Sequence, residues 1–276
     1  MEKRVEKVED QNQIDDVTYA DDFFTFFDGK NPCLKEPEYY YYLEDLYATS
    51  GPPKFDYIVM NDNTRSPARY ESRQSSLSVL KETYIPWMIE TGVTPVLMFT
   101  YAYWSPYRDM GGLGGIPEFA SLTYEGYKQY ATLMEESLPA SQKPRIAPVG
   151  MAFLMVWEEK FELWERLFHI DQVHCSPLGT FLEGLVVHHT LFGVMPEHKV
   201  AVRGDMFTLW LRARRFQPGE HRRTPFPTEE EAAYLFDVAV RICVHGQIPR
   251  SFITYRNGEA SDYVPMDDLY KVDDLF

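Results

Sequence analysis

The chain has 276 residues, 45% of them hydrophobic, which suffices to bury a sizeable core in one large domain or in a domain with a tail. Its formal net charge of −15 argues against a nucleic-acid partner, because phosphate recognition requires a basic face. Its three cysteines are far apart and lack CxxC spacing, so neither a disulfide framework nor a zinc site is predicted.

The sequence predicts neither a membrane span nor a signal peptide. No run of about 18 apolar residues occurs, so no membrane span is predicted, and the charged first thirty residues lack the apolar core of a signal peptide. The cysteine pattern favours a reducing compartment, cytoplasmic as the chain stands. The localisation stays open, because a signal peptide can have been lost together with upstream residues.

The chain begins with an acidic, aromatic extension over residues 1–54. Three short apolar runs then predict buried strands at 55–62, 94–103 and 145–153. Helical periodicity covers 77–88 and 123–138, and one face of the second segment carries Tyr124, Tyr127, Ala131, Met134 and Leu138. This alternation predicts an α/β fold with a parallel sheet, because parallel neighbours need a crossover connection.

Two helix starts follow. Ser176 before Pro177 is a serine cap with proline at the first helical position. Thr228 and Glu231 form the spacing of a capping box, for a helix whose apolar face is Ala232, Leu235, Ala239 and Ile242. We expect a core over 55–196 and, over 197–276, a C-terminal helical appendage docked on that core.

The candidate chemistry centres on Asp171 and His174, which precede the helix that starts at Ser176. In acyl transfer a histidine takes the proton of a hydroxyl, while a carboxylate fixes the ring tautomer and stabilises the imidazolium. Asp-x-x-His is also common as a surface pair, so that alternative stays open.

A second candidate is Asn61, at the carboxyl end of the first predicted strand. Ligands of open α/β sheets bind outside the carboxyl ends of strands, and an asparagine amide there can donate to an oxyanion. Turn chemistry and capping explain the Asn61, Asp62 and Asn63 run equally well.

The segments DYIVMNDNT, TPVLMFTYAYW, TYEGY, RIAPVGMAF and DQVHCSPLGT together resemble the SGNH hydrolases, also called GDSL-like esterases and acylhydrolases, over about residues 55–196. The resemblance implies a three-layer, flavodoxin-like parallel sheet. It gives Asp171 and His174 the family's Asp-x-x-His positions, and it gives Asn61 the asparagine of the Gly-x-Asn-Asp block, where Val59 replaces the glycine.

The family's Gly-Asp-Ser turn is missing, so the predicted fold is incomplete at its N-terminus and the nucleophile is unknown. Ser50 precedes the first predicted strand and Ser105 follows the second, but neither lies in a tight strand-to-helix turn. Ser176 is explained as a cap, and Cys175 as a half-buried structural thiol. The serines at 66, 72, 75, 76 and 78 are assigned to a loop and a solvated helix face.

Two functions follow. The first is hydrolysis of an acyl or acetyl ester, including a carbohydrate-linked one, on a small-molecule or glycan substrate. The second is a catalytically inactive truncated chain or pseudoenzyme that binds a protein partner, whose identity the sequence does not give.

No cofactor and no metal is predicted. His188, His189 and His198 lack a carboxylate at metal-ligand spacing, so we assign them to packing or capping. The glycine-rich segment 107–119 is typical of a mobile loop that closes over a substrate.

Overall fold

The computed structural model describes residues 55–104, 111–169, 171–198 and 227–254. The predicted extension over 1–54 lies outside the described residues. So do Ser50, Ser105 and most of the C-terminal region beyond 198. The domain boundaries therefore stay a prediction.

Within the described residues, three parallel strands form a sheet in the order β1-β2-β3. They are β1 (Tyr57–Met60), β2 (Thr94–Met98) and β3 (Arg145–Ala147). Tyr57 pairs with Thr94 and Met60 with Leu97, while Met98 pairs with Ala147 on the other side of β2. The described part is thus α/β, as the alternation of patterns predicts.

Helices cover the sheet. The first group is α1 (Arg65–Ala68), α2 (Tyr70–Val79), a π-helical turn (Leu80–Tyr84), α3 (Ile85–Thr91) and α4 (Ile116–Ser137). A 3-10 turn (Ala140–Gln142) precedes β3, and the second group is α5 (Val149–Glu159), α6 (Phe161–Glu165), α7 (Pro177–Phe192) and α8 (Glu229–Cys243).

Strand β2 is buried on both faces. Val96 and Leu97 are both buried, and successive side chains of a strand point to opposite faces of the sheet. Helix α7 packs against β2 and β3, and α4 packs against β3 and α5. Because the described strands are parallel, their carboxyl ends lie at one edge of the sheet. Asn61 directly follows β1 at this edge.

The predicted third strand is partly wrong. Strand β3 ends at Ala147, and residues 149–153 belong to α5. Gly150 lies so close to the chain after β2 that a Cβ there would come within 2.5 Å of the Phe99 ring and 2.6 Å of the Thr100 carbonyl oxygen. An apolar run of this length does not distinguish a buried strand from a buried helix by periodicity alone.

The predicted helix over 123–138 is confirmed, but it begins earlier, at Ile116. Pro117 lies in its first turn, where the missing N–H costs nothing. Residues 116–119 of the predicted loop over 107–119 therefore belong to this helix, and residues 105–110 lie outside the described residues.

Both predicted helix caps are confirmed. The Thr228 hydroxyl accepts from the Glu231 backbone N–H at 3.2 Å, and a Glu231 carboxylate oxygen accepts from the Thr228 N–H at 2.8 Å. Helix α8 packs on α7 and α5, and its buried face is Ala232, Leu235, Val238, Ala239 and Ile242.

Candidate functional site

The loop between α6 and α7 carries the Asp171 and His174 pair. An antiparallel bridge between Phe168 and Cys175 closes this loop. The His169 N–H donates to the His174 carbonyl at 2.7 Å, and the Ser176 N–H donates to the Leu167 carbonyl at 2.8 Å. These backbone hydrogen bonds hold the two ends of the loop together.

Asp171 holds the loop tip in shape. Its Oδ1 accepts from the backbone N–H groups of Val173 at 2.9 Å and His174 at 3.0 Å. Gln172 adopts a φ of 57°, a left-handed conformation uncommon for a residue other than glycine. Such local strain persists only where surrounding contacts impose it, and here the Asp171 carboxylate supplies two of them.

The same carboxylate binds the histidine ring. Asp171 Oδ2 lies 2.5 Å from Nδ1 of His174. The His174 side chain is 69% exposed, and within the described part of the chain its ring makes no other hydrogen bond. The geometry therefore fixes Nδ1 on the carboxylate and leaves Nε2 open to a substrate or a hydroxyl.

Asp171 is held in its ionised form. Partial burial opposes ionisation, but the hydrogen bonds from the His174 ring and from the two backbone N–H groups outweigh it and keep the pKa of Asp171 well below its usual range. An ionised carboxylate at Nδ1 stabilises an imidazolium, which is what a general base becomes after it takes a proton.

Tyr101 connects the loop to the sheet. It follows β2 at the carboxyl edge, and its ring stacks on Phe153 with centroids 4.3 Å apart. It also meets the edge of Phe168, at the base of the loop, at 5.5 Å. The predicted pair therefore lies above the carboxyl edge of the sheet, where α/β folds bind ligands.

Ser176 is a structural cap, as predicted. It is completely buried, its Oγ donates to the Arg166 carbonyl, and the same Oγ accepts from the N–H groups of Leu178 at 3.2 Å and Gly179 at 3.4 Å. Because its hydroxyl is committed to these contacts, Ser176 is excluded as a nucleophile for His174.

Cys175 is held away from His174. Its Sγ donates to a Glu183 carboxylate oxygen at 3.2 Å. Burial, together with the neighbouring Glu183, raises the pKa of the thiol well above its usual value, which disfavours the reactive thiolate. The assignment of Cys175 as a structural thiol agrees with these contacts.

Asn61 lies at the carboxyl end of β1, as predicted. Its side-chain amide makes one long contact, to the Asp62 carbonyl at 3.4 Å, and no hydrogen bond joins it to Asp171 or His174. The structure thus brings Asp171 and His174 together and leaves Asn61 apart from them, at the same edge of the sheet. The Asn63 side chain accepts from the Arg65 N–H at 3.2 Å, which is turn chemistry.

Asp62 is a buried anchor that sequence reasoning assigns only to a turn. Its Oδ2 accepts from the hydroxyls of Ser76 at 2.7 Å and Tyr130 at 2.8 Å, and its N–H donates to the Tyr127 hydroxyl at 2.9 Å. Burial raises the pKa of the carboxyl to about 6, against the hydrogen bonds, which favour ionisation. Asp62 therefore ties β1 to α2 and α4.

Among the described residues, no serine hydroxyl contacts the His174 ring. The Ser76 hydroxyl binds Asp62, whereas those of Ser75 and Ser78 make contacts within their own helical segment, to the Glu71 carbonyl and the Glu82 carboxylate. Ser50 and Ser105 lie outside the described residues, so the nucleophile stays unassigned.

An aromatic cavity of about 320 Å³ lies beside the loop. Gln172 and Phe168, from the loop and its base, form part of the wall. The remaining lining residues come from the chain after β2 and from α4, α5 and α6: Tyr103, Trp104, Gly114, Gly115, Ile116, Phe119, Trp157, Phe161, Trp164 and Glu165. This volume is within the range of small-molecule pockets.

Sequence reasoning missed this cavity, although a signal exists. Trp157, Phe161, Trp164 and Phe168 follow one another at spacings of four, three and four, which places large aromatic side chains on one side of a helical segment. The structure breaks that segment at Lys160, and the same four residues line the cavity.

The predicted packing roles of the histidines agree with their contacts. His188 Nδ1 lies 3.1 Å from the Val194 carbonyl oxygen, and the His198 ring meets Phe236 edge-on at 4.9 Å. Within the described residues, no cluster of three or more His, Cys, Asp or Glu side chains could hold a metal. None of the described helices has the length and apolar character needed to cross a membrane.

Comparison with known proteins gives no relative. No family model matches the sequence, and neither a curated protein nor a solved structure matches the chain.

Proposed function

We propose that the chain is an ester hydrolase in which His174 is the general base and Asp171 orients and stabilises its ring. The observation that carries this proposal is the contact between Asp171 Oδ2 and His174 Nδ1 at 2.5 Å, on a loop at the carboxyl edge of the sheet, with the ring largely exposed. A surface pair without function does not need a strained loop or an adjacent aromatic cavity.

The chemistry requires a hydroxyl near Nε2 of His174. The imidazole takes the proton of that hydroxyl as its oxygen attacks the ester carbonyl, and it then gives the proton to the leaving alcohol, so that the acyl group stays on the attacking oxygen. Water, activated by the same imidazole, then releases the acid and restores the hydroxyl. Asp171 compensates the positive charge that the ring carries in between. The Asn61 amide is our candidate donor to the oxyanion, since its contact with the Asp62 carbonyl is long and weak.

The finer fold assignment is also a proposal. A parallel sheet with Asn61 after its first described strand and the Asp-x-x-His loop before α7 has the element order that the SGNH resemblance implies. We therefore propose a flavodoxin-like, SGNH-type arrangement for the core, acting on an acyl or acetyl ester.

The second candidate is a chain that has lost its activity and binds another protein. One observation favours it: within the described residues, His174 has no hydroxyl partner, and the nearby Ser176 and Cys175 are committed to other contacts. The two functions differ in whether a nucleophile reaches Nε2 of His174.

Hydrolysis of an aryl acetate by the full chain tests the proposal. We expect His174→Ala and Asp171→Asn to lower kcat/KM by roughly 10³–10⁴-fold, because either change removes the oriented base. His245→Ala is the matched control, since His245 is an exposed histidine beyond α8. Equal rates in all four proteins, or no hydrolysis by the unaltered chain, would overturn the proposal.

A further inference from the structure

The aromatic cavity beside the Asp171 and His174 loop has features of a binding site that the proposed function does not yet explain. Seven of its lining residues are aromatic: Tyr103, Trp104, Phe119, Trp157, Phe161, Trp164 and Phe168. They belong to segments far apart in sequence, so the fold brings them together. Rings of this kind supply large apolar contact area and specific edge and face contacts.

Two large aromatic side chains of the cavity are exposed. Trp104 is 60% exposed and Phe161 is 52% exposed. Phe161 is stacked on Trp164 with centroids 5.6 Å apart, which extends the aromatic surface from the interior outward. Exposed apolar surface that continues into a cavity is typical of ligand sites.

The volume of the cavity admits a small molecule. About 320 Å³ lies at the lower end of the range of small-molecule pockets, and a phenyl ring with a short side chain fits within it.

The mostly apolar lining argues against a sugar. Among the lining residues that the structure describes, Glu165 and Gln172 are the charged and amide side chains, and the further polar groups are the Tyr103 hydroxyl and the tryptophan N–H groups. A sugar ring carries several hydroxyls, and any that lacked a partner on the aromatic walls would be costly to bury. The Glu165 carboxylate also disfavours an anionic ligand.

We infer that this cavity binds an arylalkyl group, and that it holds the aryl-bearing acyl group of the ester. Gln172 lies between Asp171 and His174 in sequence and lines the cavity, so a group bound there would lie next to the loop. The identity of the ligand as an acyl group rests on the proposed function, whereas binding to the cavity does not.

Calorimetric titration of the full chain with 4-phenyl-2-butanone tests the inference. This ketone has the required size, carries no charge and contains no ester bond, so its binding needs no nucleophile. We expect it to bind, and we expect methyl glucoside to show no binding at the same concentration.

Two exposed phenylalanines give a matched pair of variants. Phe161→Ala removes one ring of the cavity wall, and we expect the Kd for the ketone to rise about three- to tenfold. Phe192→Ala removes a ring that is 62% exposed at the end of α7, outside the cavity, and should leave the Kd unchanged. Trp104→Ala, which alters the part of the wall that follows β2, should also raise the Kd for the ketone.

The outcomes separate the two proposals. Ketone binding that depends on Phe161, in a chain without hydrolysis, would support the cavity and overturn the hydrolase. Hydrolysis without ketone binding would overturn the cavity and support the hydrolase. Equal effects of Phe161→Ala and Phe192→Ala, or glucoside binding as tight as ketone binding, would also overturn the inference.

Discussion

Substituting Asp62 by asparagine should remove a pH dependence of stability. Asparagine keeps the size of the side chain, and its Oδ1 can still accept from the Asn63 N–H, which lies 2.7 Å from the aspartate oxygen. Its NH₂ group would face the hydroxyls of Ser76 and Tyr130, both of which can accept a hydrogen bond. The substitution therefore removes the charge while the network keeps its partners.

The magnitude follows from the raised pKa of Asp62. The folded chain holds the proton up to about pH 6, whereas the carboxyl has a reference pKa of 3.8. Folding therefore favours the protonated carboxyl, so the free energy of unfolding falls as the pH rises from about 4 to about 6. The two pKa values correspond to about 3 kcal/mol in total, of which the unaltered chain loses about 2 kcal/mol over this range and Asp62→Asn does not.

Urea denaturation followed by tryptophan fluorescence at pH 4, 5, 6 and 7 measures the effect. The free energy of unfolding of Asp62→Asn minus that of the unaltered chain should increase by roughly 2 kcal/mol between pH 4 and pH 7, and other titrating groups cancel in this difference. Glu90→Gln, an exposed carboxylate on α3, is the control and should give a flat difference. A flat difference for Asp62→Asn too, or one of opposite sign, would refute the reasoning.

Two further predictions concern packing and capping. Gly126→Ala would place a Cβ 2.2 Å from the Pro67 carbonyl oxygen and should lower the free energy of unfolding by about 3 kcal/mol. Gly184→Ala, where a Cβ would meet nothing within 4 Å, should raise the free energy of unfolding by up to about 1 kcal/mol. Urea titration compares the two variants, and equal effects would contradict the close packing of α1 on α4. Ser176→Ala should lower stability by about 2 kcal/mol and also reduce ester hydrolysis, because this cap fixes the base of the loop, whereas Thr228→Ala on α8 should reduce stability alone. Unchanged hydrolysis in folded Ser176→Ala would show that the cap does not position the loop.

Local signals in the sequence predicted local structure well. The caps at Ser176 and Thr228 were predictable because a cap depends on a few adjacent residues. The Asp171 and His174 pair was predictable for the same reason, since the contact spans three residues. The end of β3 was not, because the contact of Gly150 with Phe99 and Thr100 brings together segments fifty residues apart.

Long-range features escaped prediction. Asp62 looks like a turn residue in sequence, and its role depends on Tyr127 and Tyr130, more than sixty residues away. The aromatic cavity combines the chain after β2 with α4, α5 and α6, so only the part around Trp157 and Phe161 leaves a periodic signal. The nucleophile could not be assigned, because no Gly-Asp-Ser turn occurs in the sequence.

The central claim is that the Asp171 and His174 pair activates a hydroxyl of this chain. Intact-mass analysis after exposure to a fluorophosphonate tests it most directly, because this reagent phosphonylates the oxygen of an activated serine with loss of fluoride. We predict one adduct on the unaltered chain and on His245→Ala, and none on His174→Ala, with peptide mapping to identify the serine. No adduct on the unaltered chain, or an adduct that persists in His174→Ala, would contradict the claim.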